Sequence, residues 1–157
     1  MLAFVVFGRR DVSPRSGALL FPVAGTRDPT LARSFAEMRG DRPHAAIDIT
    51  ADRGTAVRAA TSGRIERMTS EGDGGIALEQ ISDDGAYCLY YAHLDGYAGS
   101  LAEGDALDAG AILGFVGTSG NAPPSAPHLH FAVRELEAGD DCWEGSPVDP
   151  FPLFAEQ

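Results

Sequence analysis

Apolar residues recur along this chain in short runs with a period of two, and clusters of Gly, Asp, Asn and Pro interrupt them before they reach helical length. Alternate side chains of a strand share a face, so this spacing predicts strands over 4–7, 46–50, 56–59, 63–69, 75–81, 87–93, 111–117 and 128–134. Gly72-Asp-Gly-Gly75 and Asp83-Asp-Gly85 punctuate the pattern as hairpin turns. Helical spacing is scarce. Leu31, Phe35 and Met38 fit one short helix or a structured loop over 30–38, and 101–106 fits at most a helical turn. Residues 121–127 are Pro-rich and lead straight into His128, as a stiff site loop would. The expected fold is mainly β with few short helices, in a single domain spanning 1–157.

Composition narrows the partners more than the fold. Hydrophobic residues make up 44% and charged residues 22%, which is ordinary for a globular domain. Twelve basic against 23 acidic residues give a formal charge of -11, which argues against nucleic acid as a partner. The apolar start, Met1 to Phe7, has no basic residues before it and is too short to span a bilayer, so it reads as a strand and shows no export signal. Cys88 and Cys142 leave two readings. They could pair in an oxidising compartment, but the apolar run Tyr87-Cys-Leu-Tyr-Tyr91 suits a buried free thiol at least as well.

The chemistry lies in the histidines. All four, His44, His93, His128 and His130, fall in three segments: His44-Ala-Ala-Ile-Asp48, Tyr91-Ala-His-Leu94 and His128-Leu-His130. Imidazole is the commonest metal ligand and the usual acid/base near neutral pH. On a strand, His128 and His130 project together with their Cα atoms about 6.5–7 Å apart, so one could ligate a metal while the other addresses bound water. His44 and Asp48 are too far apart to cooperate along a fully extended strand, and Asp41-Arg-Pro-His44 suggests a bend that would bring both onto one ion. Mixed nitrogen and oxygen ligands with an open position for water are the pattern of catalytic zinc, whose water has a pKa of about 7.

These segments resemble the lysostaphin/LytM-type zinc endopeptidases of bacterial cell walls, whose hallmark is His-x-x-x-Asp followed much later by His-x-His. The likeness runs in order over about residues 20–135, through Phe21-Pro-Val-Ala-Gly25, Arg42-Pro-His-Ala-Ala-Ile-Asp-Ile49, Tyr91-Ala-His-Leu94, Gly110-Ala-Ile-Leu-Gly-Phe-Val-Gly-Thr-Ser-Gly-Asn121 and Pro127-His-Leu-His-Phe131, with 136–157 as a C-terminal extension. The resemblance implies one Zn2+ per chain held by His44, Asp48 and His130, with His93 and His128 as catalytic histidines. It implies a two-layer antiparallel β-sandwich or barrel-like sheet with a groove for an extended peptidoglycan peptide, walled by residues 25–43, 69–75, 82–86 and 118–127. It also implies an extracytoplasmic location. Oligomeric state and the bond cleaved are not readable.

Departures from the family pattern are few. Ala46 stands where a glycine is usual, which is tolerated unless positive φ is needed. No tyrosine precedes His44, so an oxyanion donor that some relatives place there is in doubt. One rival is a non-catalytic wall-binding or amidase-activating module of the same fold, which loss of ligands would mark, and none is lost. Another is a lipoyl- or biotinyl-type carrier, suggested by 104–116, but the chain contains no lysine to carry the cofactor.

Overall fold

A computed structural model describes residues 18–25, 28 and 30–156; the strand expected over 4–7 lies outside them. A single helical turn, α1 (Leu31–Ser34), precedes a two-residue hairpin of β1 (Met38–Arg39) and β2 (Arg42–Pro43). The strands then run β3 (Ile47–Thr50), β4 (Ala56–Arg58), β5 (Gly63–Thr69), β6 (Ile76–Ser82), β7 (Tyr87–Tyr97), β8 (Ala106–Leu107), β9 (Ile112–Val116), β10 (His128–Glu135) and β11 (Ser146–Val148), with a 3₁₀ turn at Phe151–Leu153. Each strand expected within the described residues is present. The helical reading of 30–38 shrinks to α1 because Gly40, at φ 67°, turns the chain into the hairpin. No helical turn forms over 101–106: the Gly104 N–H donates to the Ile65 carbonyl and the Ile65 N–H to that of Asp105, which knits this segment to β5.

The main sheet has the order β11-β10-β7-β6-β5-β8, with β3 on the remaining length of β10's outer edge, and all these pairings are antiparallel. β7 belongs to two layers. Residues 87–92 lie between β6 and β10, whereas 94–97 pair with β9, which in turn pairs with β4. The switch falls at His93, whose φ is 62°, and it inserts an extra residue against β6. The sheet does not close into a barrel among the described residues.

Strand alternation divides the two faces. Leu129, Phe131 and Val133 of β10 and Leu89 and Tyr91 of β7 are fully buried in one core with Val57, Leu113 and Val116 of the second layer. The opposite face carries His128, His130, Ala132 and Arg134 beside Cys88, Tyr90 and Ala92. Within the core, the Tyr91 hydroxyl donates to Gln80 Oε1 at 2.8 Å and accepts the Ala60 N–H at 2.9 Å, while Gln80 Nε2 donates to the Thr61 carbonyl. Burial pushes the Tyr91 phenol well above its ordinary range, so it remains a donor.

Cys88 and Cys142 form a disulfide with Cα atoms 5.3 Å apart, so the free-thiol reading does not hold. The run 87–91 is apolar on both faces. Tyr87, Leu89 and Tyr91 join the core, and Cys88 points the other way, where the chain after β10 folds back and brings Cys142 over it.

Candidate metal centre

Three strands and a bend assemble the histidines. His130 on β10 lies directly opposite Asp48 on β3 and Ala92 on β7. Register therefore places the carboxylate beside the imidazole, and His128 follows two residues earlier on the same face. His44 arrives through the expected bend: its N–H donates to the Glu37 carbonyl, and Ala45 takes φ 54°. The left-handed residue is thus Ala45. Ala46 has no positive φ and is buried, so alanine at that position costs no strain.

His44 Nε2, Asp48 Oδ1 and His130 Nδ1 form a triangle with sides of 3.1, 3.1 and 3.2 Å. Tetrahedral zinc with bonds of 2.0–2.1 Å would separate its ligand atoms by about 3.3–3.4 Å, so one face of such a site is nearly preformed. These residues are the group among the described residues whose atoms could share one ion. His128 Nε2 stands 3.8 Å from Asp48 Oδ1, outside the triangle. Its ring meets that of His93 edge to face, with centroids 4.9 Å apart, and His93 is 5.7 Å from His130. All five residues named from the sequence therefore converge.

Backbone carbonyls orient three of the four imidazoles. Nδ1 of His44 lies 3.0 Å from the Ser34 carbonyl, that of His93 2.9 Å from Ser119 and that of His128 2.8 Å from Ala126. A carbonyl only accepts, so each Nδ1 carries a proton, and in the neutral ring Nε2 keeps its lone pair. His93 is clamped further by its own N–H on the Gly74 carbonyl. A side chain at Gly74 would collide with the Tyr90 hydroxyl, and one at Gly120 with the Asp73 carbonyl, so glycine lets both loops close over His93.

Burial pushes the His93 imidazole below its ordinary range; the Ser119 carbonyl opposes this and the neighbouring His128 and His130 reinforce it. Asp48 goes the other way. Burial alone would raise it, but the imidazoles of His130 and His44 and the guanidinium of Arg39 around it together hold its carboxyl far below the usual range. Arg39 Nη2 takes Asp48 Oδ2 at 2.5 Å, leaving Oδ1 for the triangle.

The centre opens into a cavity of about 400 Å³ lined in part by Arg39, Arg42, Asp73, Gly74, Tyr90, Asn121 and Arg134. Loops 25–43, 69–75 and 118–127 thus wall it as expected. The 82–86 turn does not, because it sits at the far end of β6 and β7 from His93. Cys142 and Trp143 instead border the adjoining cavity. Sequence reading missed Arg39, the three orienting carbonyls, Arg134 and Trp143. The carbonyls belong to the backbone and leave no side-chain signal; an arginine in an acidic chain marks no spacing of its own.

The profile of Peptidase family M23 matches residues 42–150. The chain is 29% identical to an L-Ala–D-Glu endopeptidase of Bacillus subtilis over 160 residues, which covers 97% of this chain and 46% of the relative. It is 36% identical to the DD-carboxypeptidase/endopeptidase Mpg of Neisseria gonorrhoeae over 143 residues, covering 90% and 30%. Among solved structures, the catalytic domain of lysostaphin from Staphylococcus simulans superposes with a TM-score of 0.64 at 28% identity, covering 76% of this chain and 86% of that one. The chain spans less than half the length of either of these curated relatives.

Proposed function

Because the chain belongs to peptidase family M23, we propose that it is a zinc-dependent endopeptidase cutting peptide bonds in bacterial cell-wall peptidoglycan, with residues 1–157 forming one metallopeptidase domain. The observation that carries this reading is the 3.1–3.2 Å triangle of His44, Asp48 and His130 with two further imidazoles against it. In the proposal these three residues hold one zinc ion per chain. Bound there, zinc supplies Lewis acidity, lowering the pKa of water to about 7 and polarising the scissile carbonyl.

His93 and His128 handle the protons. Each commits its Nδ1–H to a backbone carbonyl, so Nε2 is the nitrogen left for the reaction. One imidazole accepts a proton from the attacking water as it adds to the carbonyl carbon. The other, carrying a proton on Nε2 as well, donates a hydrogen bond from that nitrogen to the developing oxyanion, and the captured proton passes to the leaving amine as the C–N bond breaks. The groove floor of Ala92, Tyr90 and Ala132 leaves room for an extended peptide. A peptidoglycan substrate places the chain outside the cytoplasm, and the Cys88–Cys142 disulfide suits such an oxidising compartment.

Digestion of purified peptidoglycans of several cross-link types, with product masses locating the cut, tests the reading. Cleavage should appear on zinc loading, stop on chelation and vanish in His128→Ala. Digestion indifferent to chelator, or none by the zinc-loaded chain, would refute it.

A further inference from the structure

Twelve arginines face 23 acidic residues in the whole chain, yet the cavity at the metal centre reverses this proportion. Arg39, Arg42 and Arg134 line it against the single carboxylate of Asp73. Arg39 is occupied by Asp48 and Glu37. Arg42 and Arg134 make no ion pair among the described residues. An uncompensated guanidinium gathered into a groove of an acidic protein is a place for an anion.

Arg134 is held in position. It lies four residues beyond His130 on the same face of β10, and its cross-strand neighbour on β7 is Cys88. The disulfide from Cys88 pins Cys142 beside it, and Arg134 Nη1 donates to the carbonyls of Trp143 at 3.3 Å and Gly145 at 3.1 Å. One nitrogen is thereby spent on the loop, while Nη2 and Nε remain for a ligand; the side chain lines both cavities. Beside it, Trp143, the chain's only tryptophan, is 71% exposed. An indole on a groove rim offers a rigid apolar plane to a passing peptide.

Resting on the endopeptidase reading, we propose that Arg134 is the anchor of a carboxylate subsite, with Trp143 as its rim, that selects peptides bearing a free acidic group near the cleaved bond over neutral peptides such as glycine bridges. Four residues of β10 span about 13 Å, so the carboxylate sits within about two to four residues of the cut along an extended peptide. Arg134 acts on affinity for the substrate and takes no part in the proton transfers.

The test uses zinc-loaded protein and synthetic peptides identical but for glutamate or glutamine at each position in turn. Binding is read by Trp143 fluorescence and by calorimetry, and cleavage by kcat/KM. At one position at least, the wild type should bind the glutamate peptide about tenfold more tightly than its glutamine twin. Arg134→Gln should erase that preference while keeping its affinity for the glutamine peptide, and Trp143→Ala should weaken both peptides alike. Equal binding of the two series by the wild type, or equal loss of both in Arg134→Gln, would overturn the subsite; the second result would make Arg134 merely a loop support. If Arg134→Gln does not fold, Arg134→Lys carries the test. It keeps the charge without the fork and should reduce the preference, so an unchanged preference overturns the proposal. An Arg134-dependent preference in binding with no cleavage of any peptide leaves the subsite standing and removes the endopeptidase reading. Equal binding and cleavage of both series does the reverse.

Discussion

The two ends of the groove are built by different means. At the histidine end, sheet register and backbone carbonyls fix every group: His130 opposite Asp48, and Nδ1 of His44, His93 and His128 against Ser34, Ser119 and Ala126. At the Arg134 end, a covalent link and two loop carbonyls do the same work. Register in a sheet is all-or-none: a one-residue slip of β10 would carry His130 away from Asp48 and onto the other face. A tethered loop can vary in sequence and length while its anchor stays in place, so chemistry and recognition can change independently.

The largest expected effect separates metal binding from catalysis within the histidine end. Asp48→Ala should abolish stoichiometric zinc uptake, measured by elemental analysis, and cleavage with it. His128→Ala should retain the zinc and lose about 10²–10⁴-fold in kcat. Zinc lost equally from both variants would mean that His128 belongs to the ligand set.

Next comes the covalent end. Replacing Cys88 and Cys142 by alanine opens a link across 54 residues and should lower unfolding free energy by about 2–4 kcal/mol in denaturant titration. Zinc affinity should change less than twofold, because the ladder that sets His130 opposite Asp48 runs between β10 and β3 and includes neither cysteine. A large fall in zinc affinity would show that the two ends are not independent.

Arg39→Gln probes how the carboxylate is oriented. Freed from Arg39, Asp48 Oδ2 could rotate toward the ion, and zinc affinity should fall about 10–100-fold in competition with a chelator. Arg39→Lys should restore part of it. Tyr91→Phe tests the floor common to both ends. It would strip Gln80 Oε1 and the Ala60 N–H of a buried partner and cost about 1–3 kcal/mol of stability, with the zinc site unchanged.

The contrast also explains what could be read from the chain. Strands were legible because apolar alternation is a local property, and the histidine end because a scarce residue with metal chemistry fell only in spaced segments. Cys88 was misleading because Tyr87, Leu89 and Tyr91 fill the core while its own face is also covered, so alternation gave no sign that it pointed to the groove. Arg134 has no such rarity among twelve arginines. Its setting depends on Trp143 and Gly145 folding back after β10, a tertiary event with no periodic trace. The β1–β2 hairpin and β8 were missed because two-residue strands are too short to show a period.

The smallest effect concerns protons at the histidine end in metal-free protein. Burial, reinforced by His128 and His130, sets the folded pKa of His93 below the ordinary 6.5 of an imidazole. Between that lowered value and 6.5 the unfolded chain binds more protons than the folded one, so stability rises with pH through this window and is lost as pH falls from 6.5. An NMR titration of the His93 ring in metal-stripped protein should give a midpoint below 6.5, with its Nδ1–H retained on the Ser119 carbonyl throughout. In Gly120→Ala, where the added carbon meets the backbone of Asp73 and Gly75, the two loops must part, water should reach the ring and the midpoint should move back up. A midpoint already at 6.5 in the unaltered protein would mean that the two loops do not seal His93, because the Ser119 carbonyl by itself favours the charged ring and only burial and the neighbouring imidazoles lower the midpoint.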